Sequence, residues 1–305
     1  MKRIYILIAL TVVFLTGTVS YAEDDGGYPA AFRLTALEAR AQGLGGAYSA
    51  PADGASAVLW NPSNLSDVEG NNISSTYRHL SLDRRVVTVS FARPLVAGAG
   101  AGFAWVNAGA GRIMGYDYDG NPTGLLTNHQ NLFVFGFGRP LVADYLRLGA
   151  AGRFYWLRLA DSGATGAGFD LTLSSTPVET VGLAIKVTDI FSKLKWYDVD
   201  TGESKRNEDI EMSLSFGGYF RPWQRLMASA ELEKGSGQDV RFHFGGEFWL
   251  DERLAVRAGY DAGEPALGGT ITYPLPWGRV GLDYAYARED FADGAGHTAT
   301  LGFEF

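Results

Sequence analysis

The chain has 305 residues, no cysteine, 40 glycines, 13% aromatic residues and a formal net charge of −8. The lack of cysteine excludes a disulfide scaffold and a lipobox lipoprotein anchor. The acidic balance argues against nucleic acid as a partner, and the aromatic content argues against a glycine-rich disordered chain.

Lys2 and Arg3 precede an apolar run over residues 4–17, and Ser20 and Ala22 then supply small residues where a signal peptidase reads them. Residues 1–22 are therefore expected to be a signal peptide cleaved before Glu23. The run is shorter than the roughly 20 apolar residues a spanning helix needs. No later stretch qualifies, because glycine or charge interrupts each one. Without Lys2 and Arg3, 24 basic residues face 34 acidic ones, a formal charge near −10.

Residues 23–70 read as an inward-folded hatch ahead of the first strand. Gly43, Gly45 and Gly46 permit close backbone approach and positive φ, Pro51 and Pro62 limit regular structure, and Asn61-Pro62 is a turn or helix-start signal. A phosphate cradle at Gly43-Leu44-Gly45-Gly46 has no preceding strand, no following Lys-Ser/Thr and no spaced third glycine.

Residues 71–305 alternate with period two, and strand centres fall near Ser75, Val89, Phe103, Phe135, Gly152, Phe169, Leu183, Phe216, Ala230, Phe244, Val256, Thr270, Leu282 and Leu301. One parity is greasy throughout, as in Phe242, Phe244 and Phe248 or Leu254, Val256 and Tyr260. The other carries Arg147, Arg153, Lys186, Glu231, Arg241, Glu247, Arg257 and Asp283, too much charge for a sandwich core and suited to a wet lumen. Fourteen strands make an even-numbered antiparallel transmembrane β-barrel, all-β in class and wide enough to enclose a plug.

Loop lengths sort by side. Short connections punctuated by Pro94, Pro140, Pro222 and Pro274 alternate with the long ones over residues 108–127 and 192–208, as in an outer-membrane barrel and not in a soluble sandwich. Gly98 to Gly102 read as a turn entering a strand with small lumen-facing residues. The chain closes on an alternating strand in which Leu301, Phe303 and Phe305 face lipid and form the expected assembly signal, while Thr300 and Glu304 face inward. Barrel closure should set Ser75 against Leu301.

The run from Ala39-Arg40-Ala41-Gln42-Gly43-Leu44-Gly45-Gly46 through Ala52-Asp53-Gly54-Ala55-Ser56 to Trp60-Asn61-Pro62 resembles the PorV/PorQ family of outer-membrane proteins, itself related to the FadL-type transporters. The likeness extends to Glu247-Phe248-Trp249, to residues 254–260 and 282–286, and to the terminal phenylalanine. Departures are Leu44 where methionine is usual, Gly54 for a second aspartate, and Ser63-Asn64 for Ala-Gly. The resemblance implies a plugged barrel whose motif residues are Arg40, Gly43, Gly45, Gly46, Asp53, Trp60, Asn61 and Pro62. It implies a role in protein secretion and cell-surface attachment, as in type IX secretion, with secreted cargo or secretion components as partners. The alternative is FadL-like transport of hydrophobic compounds. Outer-membrane lipid and the barrel-assembly machinery are the other expected partners.

Enzymatic constellations fail. There is no Gly-x-Ser-x-Gly elbow, and His79, His129, His243 and His297 are scattered without metal-ligand spacing. His297 has outward parity at the rim, but no serine pairs with it by sequence. Asp117 to Asn121 and Asp198 to Gly202 lack a full calcium-loop frame and read as turns. No catalytic residue, metal or cofactor is expected, and the chain is expected not to be an enzyme.

Overall fold

The computed structural model describes residues 28–34, 37–111, 113–142, 145–236, 239–289 and 294–305. The expected signal peptide and its cleavage site lie outside the described residues. No described helix is long and apolar enough to cross a membrane.

The strands, in chain order, are β1 (Asn72–His79), β2 (Arg84–Pro94), β3 (Gly100–Ala110), β4 (Met114–Tyr116), β5 (Pro122–Leu125), β6 (Asn128–Val142), β7 (Leu146–Leu159), β8 (Ser162–Val178), β9 (Val181–Asp198), β10 (Ser204–Asp209), β11 (Ser213–Trp223), β12 (Leu226–Gly235), β13 (Val240–Trp249), β14 (Leu254–Asp261), β15 (Glu264–Leu275), β16 (Gly278–Glu289) and β17 (Gly294–Glu304). Fourteen of them, all except β4, β5 and β10, form one closed antiparallel ring. Each expected strand centre falls in a ring strand. β17 pairs with β1 from Asn72↔Glu304 to His79↔His297, with Ser75 opposite Leu301. Closure removes both sheet edges, which is the condition for a sheet to stand in hydrocarbon.

Alternation explains which face is which. On β13, Phe242, Phe244 and Phe248 are exposed outward while Arg241, His243 and Glu247 are buried inward. β14, β16 and β17 repeat the pattern, with Thr298 and Thr300 inside and Leu301 outside. One end of the ring carries short turns, and there the prolines sit at strand ends and Asp251 accepts from the amides of Arg253 and Leu254. The other end carries the long connections.

Those connections differ from expectation. β9 continues to Asp198, so residues 192–198 are strand, and β10 folds back on β9 as a hairpin extension. Residues 108–127 contain the β4–β5 hairpin. The interior also departs from a wet lumen. Its charged side chains lie under the N-terminal segment, paired and mostly buried. The loop-end half bounded by β2, β3 and β6–β9 is apolar, lined by Val86, Val106, Leu132, Val134, Leu157, Leu194 and Trp196. Sequence periodicity gave these residues their inward parity but not their collection on one side, because that depends on which strands are neighbours around the ring.

Candidate functional site

The plug segment is a chain of short turns: Ala31–Leu34, the helix Ala39–Gly43, Gly54–Ser56, Ala57–Trp60 and Pro62–Asp67. None is long enough to be stable alone. Contact with the inner wall holds them.

Two seats carry that contact. At the first, Leu44 and Gly45 (φ +61) lie against the paired wall residues Gly245 and Gly259. A Cβ on Gly45 would stand 2.3 Å from the Tyr260 amide nitrogen, and one on Gly259 would stand 2.2 Å from the Gly45 amide nitrogen. Gly43 rests on Gly268, and the Gly45 carbonyl lies 3.1 Å from Nδ1 of His243. At the second seat, Pro62 and Ser63 lie on the paired wall glycines Gly138 and Gly149, and a Cβ on Gly149 would stand 2.0 Å from the Ser63 amide nitrogen. Asn61 caps this turn by accepting from the Ser63 amide (3.2 Å) and donates to the Ser49 carbonyl (2.8 Å). Pro62 fills the first helical position, where no amide is needed.

Charge ties the same segment to the polar half of the wall. Arg40 grips Glu247 with Nε (2.9 Å) and Nη2 (3.1 Å) and reaches Asp53 with Nη1 (2.5 Å). Glu247 is shared with Arg257 (2.6 Å), which also bonds Asp283 (3.0 Å). The ammonium of Lys186 lies 5.4 Å from the Trp60 ring centre, and Glu231 accepts from the Ser49 amide (2.8 Å). The motif residues Arg40, Gly43, Gly45, Gly46, Asp53, Trp60, Asn61 and Pro62 thus all lie in the plug. Gly43, Gly45, Gly46 and Pro62 meet the wall backbone or side chains, and Arg40 holds Asp53 against Glu247. Glu38 is fully buried and receives the Ser74 hydroxyl (3.2 Å). Burial pushes its carboxyl up to about 8, with Asp283 and Asp53 adding to the rise.

The wall has its own irregularity. β8 and β9 pair in register from Ser162↔Asp198 to Ala167↔Lys193, then slip to Phe169↔Ile190 and Leu171↔Val187, leaving two extra residues on β9. Asp189 (φ 59) and Phe191 (φ 57) take the left-handed conformation there, each at roughly 1–3 kcal/mol. Phe191 points outward, 92% exposed. Asp189 points inward to a buried cluster in which it accepts from Tyr155 (2.5 Å) and Ser192 (2.9 Å) and faces Arg33 of the plug segment at 3.3 Å. Arg153 bonds Asp170 (2.7 Å), and Asp170 accepts the Asp189 amide (3.0 Å). Ala30 and Phe32, just before Arg33 in the chain, pack into the apolar half of the interior. Sequence reading missed this break, since neither bulge residue is glycine or proline.

At the turn end, a cavity of about 390 Å³ is bordered by Glu38, Arg40, Asp53, Arg279, Asp283 and Glu304. A second, of about 260 Å³, is bordered by Asp67, Arg147, Thr176, Tyr219 and Arg221. Among the described residues no cluster of three His, Asp or Glu side chains could hold a metal. Asp117 and Asp198 use their carboxylates to accept amides two to four residues ahead, as turn residues do. At the loop end, the hairpin around β4 and β5 exposes Met114, Tyr116, Tyr118, Leu125 and Leu126. Apolar loop surface was not expected from sequence.

No family model and no curated protein matches the chain. Solved structures do. The CymD monoaromatic hydrocarbon channel superposes with a TM-score of 0.62 at 12% identity, over 89% of this chain and 98% of that one. The toluene transporter TodX of Pseudomonas putida gives 0.59 at 14%, over 86% and 95%. A FadL homologue of Pseudomonas aeruginosa gives 0.57 at 11%, over 88% and 98%. At these identities the chain shares their fold, that of FadL-type outer-membrane barrels.

Proposed function

We propose that this protein is an outer-membrane channel for small apolar compounds, which enter at the loop end, pass through the apolar half of the interior and leave sideways through the wall at the β8–β9 break. The observation that carries this reading is the alignment of three features on one side of the ring. They are the exposed apolar hairpin, the buried apolar cluster of Val106, Leu132, Val134, Leu157 and Leu194, and the slipped β8–β9 pairing beside it. Lateral exit suits a barrel whose turn end is closed by a seated plug, because an apolar solute gains nothing by crossing a polar vestibule. CymD, a monoaromatic hydrocarbon channel, and TodX, a toluene transporter, support the substrate class by fold analogy. The secretion-platform alternative rests on the PorV/PorQ-like motif, and the motif side chains act in seating the plug, a role both readings share.

The test is binding of toluene to the folded protein in detergent, followed through the fluorescence of Trp196, which belongs to the apolar cluster. Toluene should saturate the signal and glycerol should not. Leu194→Gln, which places an amide in the apolar cluster, should weaken binding about tenfold, a change of roughly 1.4 kcal/mol. Equal response to toluene and glycerol would remove the apolar half of the interior as a ligand site.

A further inference from the structure

Three of the four histidines and two arginines lie on one transverse row of the outer wall. The register sets Tyr286 opposite His297, His297 opposite His79, and His79 opposite Arg85. Arg85 is opposite Gly109, beside which His129 stands with Nδ1 4.0 Å from where a Gly109 Cβ would be. His129 is in turn opposite Arg158. All five side chains are exposed on the outward face at the loop end. His79, Arg85, His129 and Arg158 have no hydrogen bond or ion pair among the described residues. No acidic side chain interrupts the row, in a chain whose net charge is −8. Lys193, also on the outer wall, is by contrast matched with Asp209 at 2.9 Å. Below the row stand Tyr77, Tyr284, Trp105 and Trp156, and below those the aliphatic band.

We propose that this row binds the phosphate groups of a phosphorylated glycolipid of the outer leaflet. Aromatic rings of this kind settle at headgroup level, so the cations one step above them meet phosphate. Arg85 and His129 flank Gly109, and with neighbouring strands about 4.8 Å apart they stand about 10 Å from one another across a position with no side chain. The Asn128 carbonyl closes the surface at Gly109 itself, 2.6 Å from where a Cβ would be, so a phosphate lies above that position within reach of both donors, and arginine supplies the forked geometry phosphate accepts. The proposal rests on the outer-membrane reading but not on the hydrocarbon-channel one.

The experiment is lipid retention by the full barrel in detergent, with diphosphorylated lipid A as the probe and bound lipid counted by native mass spectrometry. Heat-dependent gel mobility establishes separately that each variant is a folded barrel. Wild type should retain lipid A in a salt-sensitive manner, and the R85Q/R158Q variant should retain at least fivefold less while still folded. R93Q/R139Q, at exposed positions near the turn end, should match wild type. H129Q alone should weaken retention by a smaller factor. Equal retention by wild type and folded R85Q/R158Q would overturn the proposal. So would displacement of lipid A by an equal concentration of inorganic phosphate, which would mark the row as a site for free anions.

Discussion

Substituting Gly45 by alanine tests whether close backbone contact holds the plug. The residue sits at φ +61, and its new Cβ would meet the Tyr260 amide nitrogen at 2.3 Å, the Tyr260 carbonyl carbon at 2.6 Å and the Phe244 carbonyl oxygen at 2.7 Å. Phe244 and Tyr260 are partners on β13 and β14. The wall can yield only by breaking ladder hydrogen bonds in lipid, at several kcal/mol each. The plug must yield instead. Left-handed alanine costs about 1–2 kcal/mol and overpacking about 1–3 kcal/mol, together roughly 2–5 kcal/mol. At 1.4 kcal/mol per decade this shifts the balance roughly 30- to 4,000-fold toward an unseated plug. Planar-bilayer conductance and protease cleavage within the plug would read the change. Gly202→Ala carries similar backbone strain (φ +74) with nothing within 4 Å, and should stay silent in both assays. Gly149→Ala brings contact with Ser63 without positive φ, and should open the barrel as Gly45→Ala does. Wild-type silence from both Gly45→Ala and Gly149→Ala would refute the idea that these seats close the barrel.

Other consequences are open to measurement. Because the Glu38 carboxyl is raised from the usual carboxylate range to about 8, the seated plug holds a proton that the released segment gives up, so plug stability is full below about 4.5 and falls as pH rises through about 8. Conductance should therefore rise between about pH 5 and 8 and level off above, and Glu38→Gln should abolish that dependence; a pH-independent wild type would contradict it. Arg33→Met leaves Asp189 facing only the more distant Arg153 (3.7 Å) and should lower barrel stability by about 2 kcal/mol, seen as an earlier loss of heat-resistant gel mobility. An unchanged transition would mean the N-terminal segment does not brace the bulge. Deleting Phe305, whose backbone exchanges hydrogen bonds with Asn71 at 2.6 and 2.9 Å and whose ring meets Trp277, should reduce folded protein per cell. Glu304→Gln, which removes only an exposed pair with Arg279, should change stability by less than about 1 kcal/mol. Equal losses from these two variants would mean the last strand is not read during assembly.

The ring was legible in the sequence because a wall between two solvents must alternate, and Phe242, Phe244 and Phe248 against Arg241, His243 and Glu247 is that requirement written out. The closing pair Ser75 and Leu301 followed from the first and last alternating segments. The glycines of the plug were legible as flexible points, whereas their wall counterparts Gly138, Gly149, Gly245 and Gly259 looked like ordinary small residues. Their meaning depends on what lies across the interior, which no local pattern records. The β8–β9 break was hidden for a related reason: Asp189 and Phe191 have no intrinsic preference for positive φ strong enough to mark a bulge, and the buried Asp189–Tyr155–Arg33 contacts that hold it come from distant parts of the chain. The charged inward parity suggested a wet lumen, because the sequence does not show that the plug covers those groups.

Lateral passage of an apolar compound is tested most directly by locking the β8–β9 seam. The chain has no cysteine, so the double substitution Phe169→Cys and Ile190→Cys, at facing positions across the slipped pairing, can form only one intramolecular disulfide. Cross-strand partners lie within disulfide reach. The measurement is toluene uptake by intact cells with a lipopolysaccharide-rich outer membrane, comparing the oxidised variant, the same variant after reduction, wild type and cells lacking the protein. The account predicts that oxidation lowers uptake to the level of cells lacking the protein and that reduction restores it to the wild-type rate. Uptake by the oxidised variant equal to wild type would contradict exit through this seam, and wild-type uptake no faster than that of cells lacking the protein would contradict the channel itself.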